Sequence, residues 1–240
     1  MINRVASLLP HLLLATLAPL AGCQSAGPGV IVEVRAEPKQ GYALPEPDDL
    51  GYGGPAGRAA PSGHDHDFHL IDYRRLDGII VWVEPVAAGV ARPELTPLNA
   101  EVVRSSPSVG PHSDPLVASV GGRITVAGLT TSGVLRTESG GIVELSPGNP
   151  VFVPTEPGLI EVLSDDSDKP VGAVYVAPTP WARKVRARER VTFSPLPPGR
   201  YRVTAWHPIL PGGSGVVDVG PGKPSKLTLT VGVNALPKPG

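Results

Sequence analysis

Sulfur is almost absent from this chain of 240 residues, which contains one cysteine, Cys23, and one methionine, Met1. A single thiol has no intramolecular partner, so a disulfide framework is excluded. Aromatic residues make up only 5% of the chain, and 21 basic residues face 22 acidic ones, for a net charge of −1. Because no basic excess exists to displace counterions from a phosphate backbone, we predict no nucleic-acid partner.

Glycine and proline are abundant, with 29 and 30 residues respectively. Without a repeat period, this density indicates many turns and short strands. No stretch of three or more turns has a clean helical periodicity, and apolar residues instead alternate in short runs. The sequence therefore predicts an all-β fold.

The first 22 residues have the pattern of a secretory signal peptide. A short basic start, Met1 to Arg4, precedes the mostly apolar run Val5 to Leu20. This run is too short and too often interrupted by proline for a comfortable transmembrane helix. It ends in LAGC, residues 20–23, which resembles the lipobox of bacterial lipoproteins. The resemblance implies that residues 1–22 are removed and that Cys23 is lipidated.

Lipidation would make the membrane the first partner of this chain, because two or more acyl chains hold a protein firmly at a bilayer. The residue after the cysteine is Gln24 rather than aspartate. In lipoproteins of this kind, that choice implies the outer membrane. We therefore expect a lipid-anchored protein of the cell envelope, facing the periplasm.

Residues 23–71 read as a flexible tether. Residues 24–66 contain 14 glycines and prolines and few large apolar side chains, so they bury too little surface to offset chain entropy. Residues 29–35 depart from this pattern, because Val30, Val32 and Val34 share one face as in a strand. This segment either adds an edge strand to a later sheet or lies free.

Short alternating runs begin at residue 72. Ile79, Val81 and Val83 alternate with Ile80 and Trp82, so both faces are apolar, as in a strand inside a sandwich. Runs at this spacing predict two small Greek-key β-sandwiches. The proline-bracketed junction APTPW, residues 177–181, marks the expected boundary between domains at 72–180 and 181–235.

Four pieces of the chain carry a family resemblance: DGIIVWVEPV (77–86), VGGRITVAGL (120–129), EPGLIEVLSDDSDKPVGAVYV (156–176) and RVTFSPLPPGRYRVTAWHP (190–208). Together they resemble a bacterial envelope architecture in which a cupredoxin-like domain precedes a carboxypeptidase-regulatory-like β-sandwich. The resemblance implies the first of these folds for residues 72–180 and the second for residues 181–235.

The copper ligands of cupredoxins have no counterpart here. The resemblance places the ligand cysteine at Ser164, the histidines at Ser132 and Ser167, and the methionine at Pro170. A blue-copper site needs a soft thiolate and two imidazoles, which hydroxyls and a proline ring cannot replace. We therefore expect the scaffold without its redox centre, and no resident cofactor.

The segment PSGHDHDFHLIDY, residues 61–73, contains His64, His66 and His69, with two aspartates between them. Imidazole and carboxylate suit zinc or copper, and envelope metal handling often uses such tracts. In an extended chain, however, His64 and His66 project to one side and His69 to the other. A solvated leader into the first strand is the favoured interpretation, and a zinc or copper site is the alternative.

Motifs of catalysis are missing from the sequence. It has no G-x-S-x-G elbow, no HExxH helix and no phosphate-binding loop, and GGSG at residues 212–215 reads as a loop before Val216. We expect a non-enzymatic module that binds an envelope protein or glycan. The alternative is a periplasmic metal-binding protein that uses the His64–His69 cluster.

The predicted anchor can be tested by replacing one atom. Cys23→Ser removes the thiol that would be acylated, so this variant should move from the membrane pellet to the soluble fraction of fractionated cells. Retention of Cys23→Ser in the pellet, resistant to high salt, would argue against lipidation.

Overall fold

A computed structural model of the chain describes residues 27–38, 71–86, 95–103, 114–167 and 169–235. Regular structure in these ranges consists of fifteen β-strands and one 3₁₀ turn at Val233–Ala235. The strands are β1 (Val30–Ala36), β2 (Ile79–Pro85), β3 (Ala100–Val103), β4 (Leu116–Ser119), β5 (Ile124–Ala127), β6 (Gly133–Thr137), β7 (Ile142–Leu145), β8 (Val151–Phe152), β9 (Gly158–Ser164), β10 (Gly172–Ala177), β11 (Ala182–Val185), β12 (Arg190–Phe193), β13 (Gly199–Trp206), β14 (Gly213–Val219) and β15 (Ser225–Val231). The predicted all-β sandwich class is confirmed.

Strands β3 to β10 form an eight-stranded sandwich. One sheet has the order β4-β10-β9-β6-β7 and the other the order β3-β5-β8. Alternate residues of each strand point between the sheets, and the fully buried side chains Ile124, Val126 and Leu135 lie in that core. Short strands suffice here because each contributes one or two apolar side chains to a shared core.

The remaining seven strands form a second sandwich from both ends of the described chain. Its sheets have the orders β12-β1-β15 and β11-β2-β13-β14. Tyr201 is the largest fully buried side chain, and its hydroxyl donates a hydrogen bond to the carbonyl of Pro197 at 2.7 Å. A phenol can therefore be buried in this core, because the turn before β13 supplies the hydrogen-bond acceptor for its hydroxyl.

Strand β1 lies in the middle of its sheet. It pairs antiparallel with β12 and parallel with β15, and Val30, Val32 and Val34 are all 0% exposed. The sequence left open whether this segment lies free or adds an edge strand. The structure gives it a hydrogen-bonded neighbour on each side, because its three valines complete the core of the seven-stranded sandwich.

Strand β2 pairs across the boundary that the sequence favoured at residues 177–181. It is antiparallel to β11 and to β13, both of which follow that junction. The eight-stranded sandwich is therefore inserted between β2 and β11, which are adjacent strands of one sheet. Periodicity finds strands but not their partners, so this pairing lay beyond the sequence.

Residues 213–215, expected in a loop, instead begin β14, which pairs with β13 from Gly213 to Val219. Glycine is disfavoured in strands by its backbone entropy. Here a Cβ at Gly213 would lie 2.2 Å from the carbonyl oxygen of Thr230, and one at Gly215 would meet the Leu227 and Leu229 side chains at 3.2 Å. Close packing against β15 therefore overrides the loop propensity.

A third apolar cluster joins the two sandwiches. Ile80 and Trp82, on the outer face of β2, pack with Tyr175 and Ala177 on the outer face of β10. The four sheets thus form a stack of four layers with three buried interfaces. All five residues of β2 from Ile79 to Val83 are buried, because one face fills the sandwich core and the other fills this seam.

Polar contacts reinforce the seam at the junction of the sandwiches. The Thr179 hydroxyl donates to the Val83 carbonyl at 2.8 Å, and the Val83 amide donates to the Trp181 carbonyl at 3.0 Å. Lys184 of β11 lies 2.9 Å from Asp114, which precedes β4. The ion pair is partly exposed and adds little energy, whereas the backbone hydrogen bonds fix the path of the connection.

Replacing Trp82 by alanine should uncouple the sandwiches. Removal of a buried tryptophan from the seam is expected to lower the free energy of unfolding by about 3–5 kcal/mol. Scanning calorimetry of Trp82→Ala should resolve two transitions where the unchanged protein shows one.

Val216→Ala is the matched control, because Val216 is 45% exposed on the same sheet and its loss should cost less than about 0.5 kcal/mol. A single transition at an unchanged temperature in Trp82→Ala would contradict a coupling role for the seam.

Candidate functional site

The residues singled out for lipidation and metal binding lie outside the described ranges. Cys23, His64, His66 and His69 all belong to segments that the structure does not describe. Their roles therefore stay predictions. In the described ranges, no three His, Cys, Asp or Glu side chains form a group that could hold a metal ion. No helix in these ranges is long and apolar enough to span a bilayer.

Ser132 and Ser164, two of the positions at which the resemblance predicted copper ligands, are close together. The Asp165 amide donates to the Ser132 carbonyl at 3.0 Å, at the end of β6 and β9 where Gly133 pairs with Ser164. The Ser164 hydroxyl is 2.6 Å from Asp166 Oδ1 and 3.1 Å from Thr131 Oγ1. This end of the sandwich is therefore closed by hydrogen bonds among its own hydroxyl and carboxylate groups.

The other two positions, Ser167 and Pro170, lie in the loop between β9 and β10, where the Ser167 amide donates to the Ser164 carbonyl at 3.0 Å. The Ser167 hydroxyl donates to the Lys169 carbonyl at 2.8 Å, and Pro170 precedes β10. Ser164 is buried, with 5% exposure, and its oxygen is satisfied by its neighbours. Oxygen ligands in this self-satisfied arrangement lack the thiolate and imidazole chemistry of a blue-copper site.

The opposite end of the eight-stranded sandwich has an open cleft of about 270 Å³. It lies between the β6–β7 turn and the β8–β9 loop. The lining residues are Thr137, Glu138, Ser139, Phe152, Pro154, Thr155, Glu156, Pro157, Gly158, Leu159 and Ile160. Among these described residues two are acidic and none is basic, so the cleft is negatively charged.

Glu138 is held in a defined position at the edge of this cleft. Its backbone amide donates to the Leu159 carbonyl at 2.9 Å, and the Leu159 amide donates to its Oε2 at 3.2 Å. Gly158 lies beside it with φ of +137°, and a Cβ there would approach Oε2 at 3.3 Å. Glycine at this position therefore leaves room for the carboxylate.

An aromatic stack stands beside the cleft, in the seam between the sandwiches. Tyr175 of β10 pairs in register with Leu159, and its ring lies 4.2 Å from Trp206 and 5.4 Å from Trp82, measured between centroids. The Trp82 indole donates to Oε2 of Glu84 at 2.9 Å. The stack thus brings a second carboxylate, from the seven-stranded sandwich, to the same region.

The hydroxyl of Tyr175 points into this negative surrounding. The residue is only 6% exposed, and no fully buried side-chain nitrogen or oxygen in the described ranges is left without a hydrogen-bond partner. Burial raises the pKa of Tyr175 to about 12, with further contributions from the charges of Glu138 and Glu84.

His207 has a structural position. It is 5% exposed at the end of β13, and its Nδ1 accepts a hydrogen bond from the Ile209 amide at 3.3 Å. Burial lowers the pKa of His207, although a hydrogen bond with the backbone of Asp77 acts in the opposite direction. The neutral imidazole therefore links the start of β2 to the β13–β14 loop.

Comparisons of the chain with family models, with curated proteins and with solved structures find no match. The resemblance to cupredoxin-like and carboxypeptidase-regulatory-like domains therefore stays a prediction.

Sequence reasoning missed every residue of the aromatic and acidic group. Glu84, Glu138, Tyr175 and Trp206 come from four separate strands or turns, and no spacing along the chain connects them. One indication was present in the sequence. Trp82 and Glu84 are two positions apart on β2, so their side chains project from the same face of a strand whose two faces are both apolar. That pattern was interpreted as a strand in a single sandwich.

Protonation of His207 should destabilise the fold. Since its pKa is lowered in the folded state, its contribution to stability is complete above its ordinary value of 6.5 and is lost as the pH falls below it. Urea unfolding of the unchanged protein should give a lower midpoint at pH 5.5 than at pH 7.5.

His207→Asn should shrink that difference, because the amide oxygen can still accept from Ile209 while the titrating group is gone. An equal pH dependence in protein and variant would assign the effect to other groups.

Proposed function

We propose that this chain is a lipid-anchored lipoprotein of the bacterial cell envelope that works as a non-catalytic binding module for an envelope protein or glycan. In this proposal Cys23 carries the lipid, and six residues separate it in the sequence from the start of β1 at Val30. The anchor faces the periplasm from the outer membrane.

The observation that carries the proposal is the open acidic cleft next to the intersandwich seam. Hydroxyl groups, carboxylates and flat apolar surfaces line this cleft. Its volume of about 270 Å³ is close to the lower limit for ligand-binding pockets. The opposite end of the sandwich is closed by its own hydrogen bonds. The cleft presents the carboxylates of Glu138 and Glu156 to a partner.

The buried seam adds support, because it holds the cleft and the seven-stranded sandwich as neighbours. A surface built from two packed sandwiches needs little ordering on binding, which lowers the entropic cost of association. A ligand at the cleft would therefore meet groups in fixed positions, and those that line the cleft come from the eight-stranded sandwich.

Site-specific photocrosslinking in cells tests this function. A photoreactive amino acid at Ser139, which is exposed at the cleft, should capture a reproducible envelope protein or glycan. The same amino acid at Lys223, exposed in the β14–β15 turn, is the control and should capture neither.

Equal yields of crosslinked product from the Ser139 and Lys223 positions, or no product from Ser139, would count against binding at the cleft. Micromolar zinc binding that is lost in His64/His66/His69→Ala, in the absence of an adduct, would favour the metal-binding alternative.

A further inference from the structure

The chain is fastened to the seven-stranded sandwich within a few residues of the proposed lipid anchor. The Ser225 amide donates to the Gly29 carbonyl at 2.9 Å, just before β1 begins. Three residues, 24–26, separate Cys23 from Gly27, where the described part of the chain starts. Since consecutive Cα atoms are about 3.8 Å apart, the four steps from Cys23 to Gly27 span at most about 15 Å. A lipid on Cys23 would therefore hold this end of the sandwich close to the bilayer surface.

Two lysines flank the point at which the chain is fastened. Lys223 is exposed in the turn before β15, and Lys226 is exposed on β15 one residue after Ser225. Neither lysine forms an ion pair with a residue in the described ranges. This end of the sandwich, formed by residues 27–29 and 220–226, is here called the lysine end.

The acidic side chains of the neighbouring strand ends each have an arginine opposite them. Asp218, at the end of β14, lies opposite Arg200 in the strand register, and the two side chains are 3.9 Å apart. Glu84, at the end of β2, lies opposite Arg202. The two lysines are therefore an excess of positive charge at this end.

The two sandwiches differ in charge. The described segments of the seven-stranded sandwich, 27–38, 71–86 and 178–235, contain twelve basic and seven acidic side chains. Residues 95–177, which include the eight-stranded sandwich, contain nine acidic and four basic ones. An anionic surface therefore attracts the sandwich that carries the lysine end and repels the other one.

We propose that the lysine end docks on the anionic phosphate headgroups of the membrane that holds the anchor. This inference rests on the proposed function, because it takes Cys23 as the residue that bears the lipid. A lysine near an anionic bilayer strengthens attachment about fivefold, so Lys223 and Lys226 together favour this orientation about 25-fold. The folded part then rests on the membrane in one orientation, with β1 leading directly away from the anchor.

Fluorescence quenching on the full-length lipidated protein tests this orientation. The protein is placed in vesicles of phosphatidylcholine and phosphatidylglycerol, 3:1, that contain a lipid with a nitroxide headgroup. A bimane label is attached at Gly220→Cys, an exposed position where an added Cβ meets nothing within 4 Å. The control label is at Ser214→Cys, exposed at the other end of β14 and about 20 Å away. The label at position 220 should be quenched at least threefold more than the label at position 214.

Charge variants of both labelled proteins then test the two lysines. Lys223→Gln/Lys226→Gln should bring the ratio of the two quenching constants close to one, because it removes the excess positive charge. Arg188→Asn is the control, because it removes an exposed charge beside Val34 in the second half of β1, and asparagine tolerates the positive φ of that residue. This control should leave the ratio unchanged.

Equal quenching at the two positions, or a ratio that stays the same in Lys223→Gln/Lys226→Gln, would overturn the docking. Treatment of the protein without an added cysteine with bimane maleimide separates this failure from a failure of the proposed function. Cys23 is the only thiol of the chain, so an acylated Cys23 leaves nothing to label. Absence of label together with equal quenching would remove only the docking, whereas labelling of Cys23 would remove the lipid anchor and the docking with it.

Discussion

Packing of β2 against two layers at once is the constraint on which the rest of this structure depends. Ile79, Val81 and Val83 fill the core of the seven-stranded sandwich, while Ile80 and Trp82 fill the seam. A strand buried on both faces gains apolar contacts on each side and has no solvated face to accommodate a register shift. The indole nitrogen is the one polar atom of Trp82 in this seam, and Glu84 satisfies it.

The insertion topology follows from the same strand. Since β2 and β11 are hydrogen-bonded neighbours, the eight-stranded sandwich leaves and returns at nearly the same place. An insertion of this kind would pivot about its two connections if nothing else held it. The stack of Trp82, Tyr175 and Trp206 removes that freedom and puts the acidic end of the inserted sandwich beside the seven-stranded one. The candidate binding surface is therefore a product of the seam.

Sequence periodicity located strands well where side chains alternate. The valines of β1 and the apolar pairs of β2 were both visible, because a period of two records which face of a strand is buried. Pairing was not visible, since β1 binds strands more than 150 residues away and β2 crosses the expected domain boundary. The loop predicted at residues 213–215 from their glycines was wrong, because contact with Thr230 and two leucines decides the conformation there.

The composition and alternation of this chain determined an all-β fold and a single cysteine at residue 23. Those properties are local, because each depends on residue type or on neighbours along one strand. Tertiary structure alone decided that Tyr175 stacks on Trp206 beside Trp82, and that an acidic cleft lies at one end of the eight-stranded sandwich. That outcome depends on how two sheets pack face to face, and residues brought together in this way have no fixed separation in sequence.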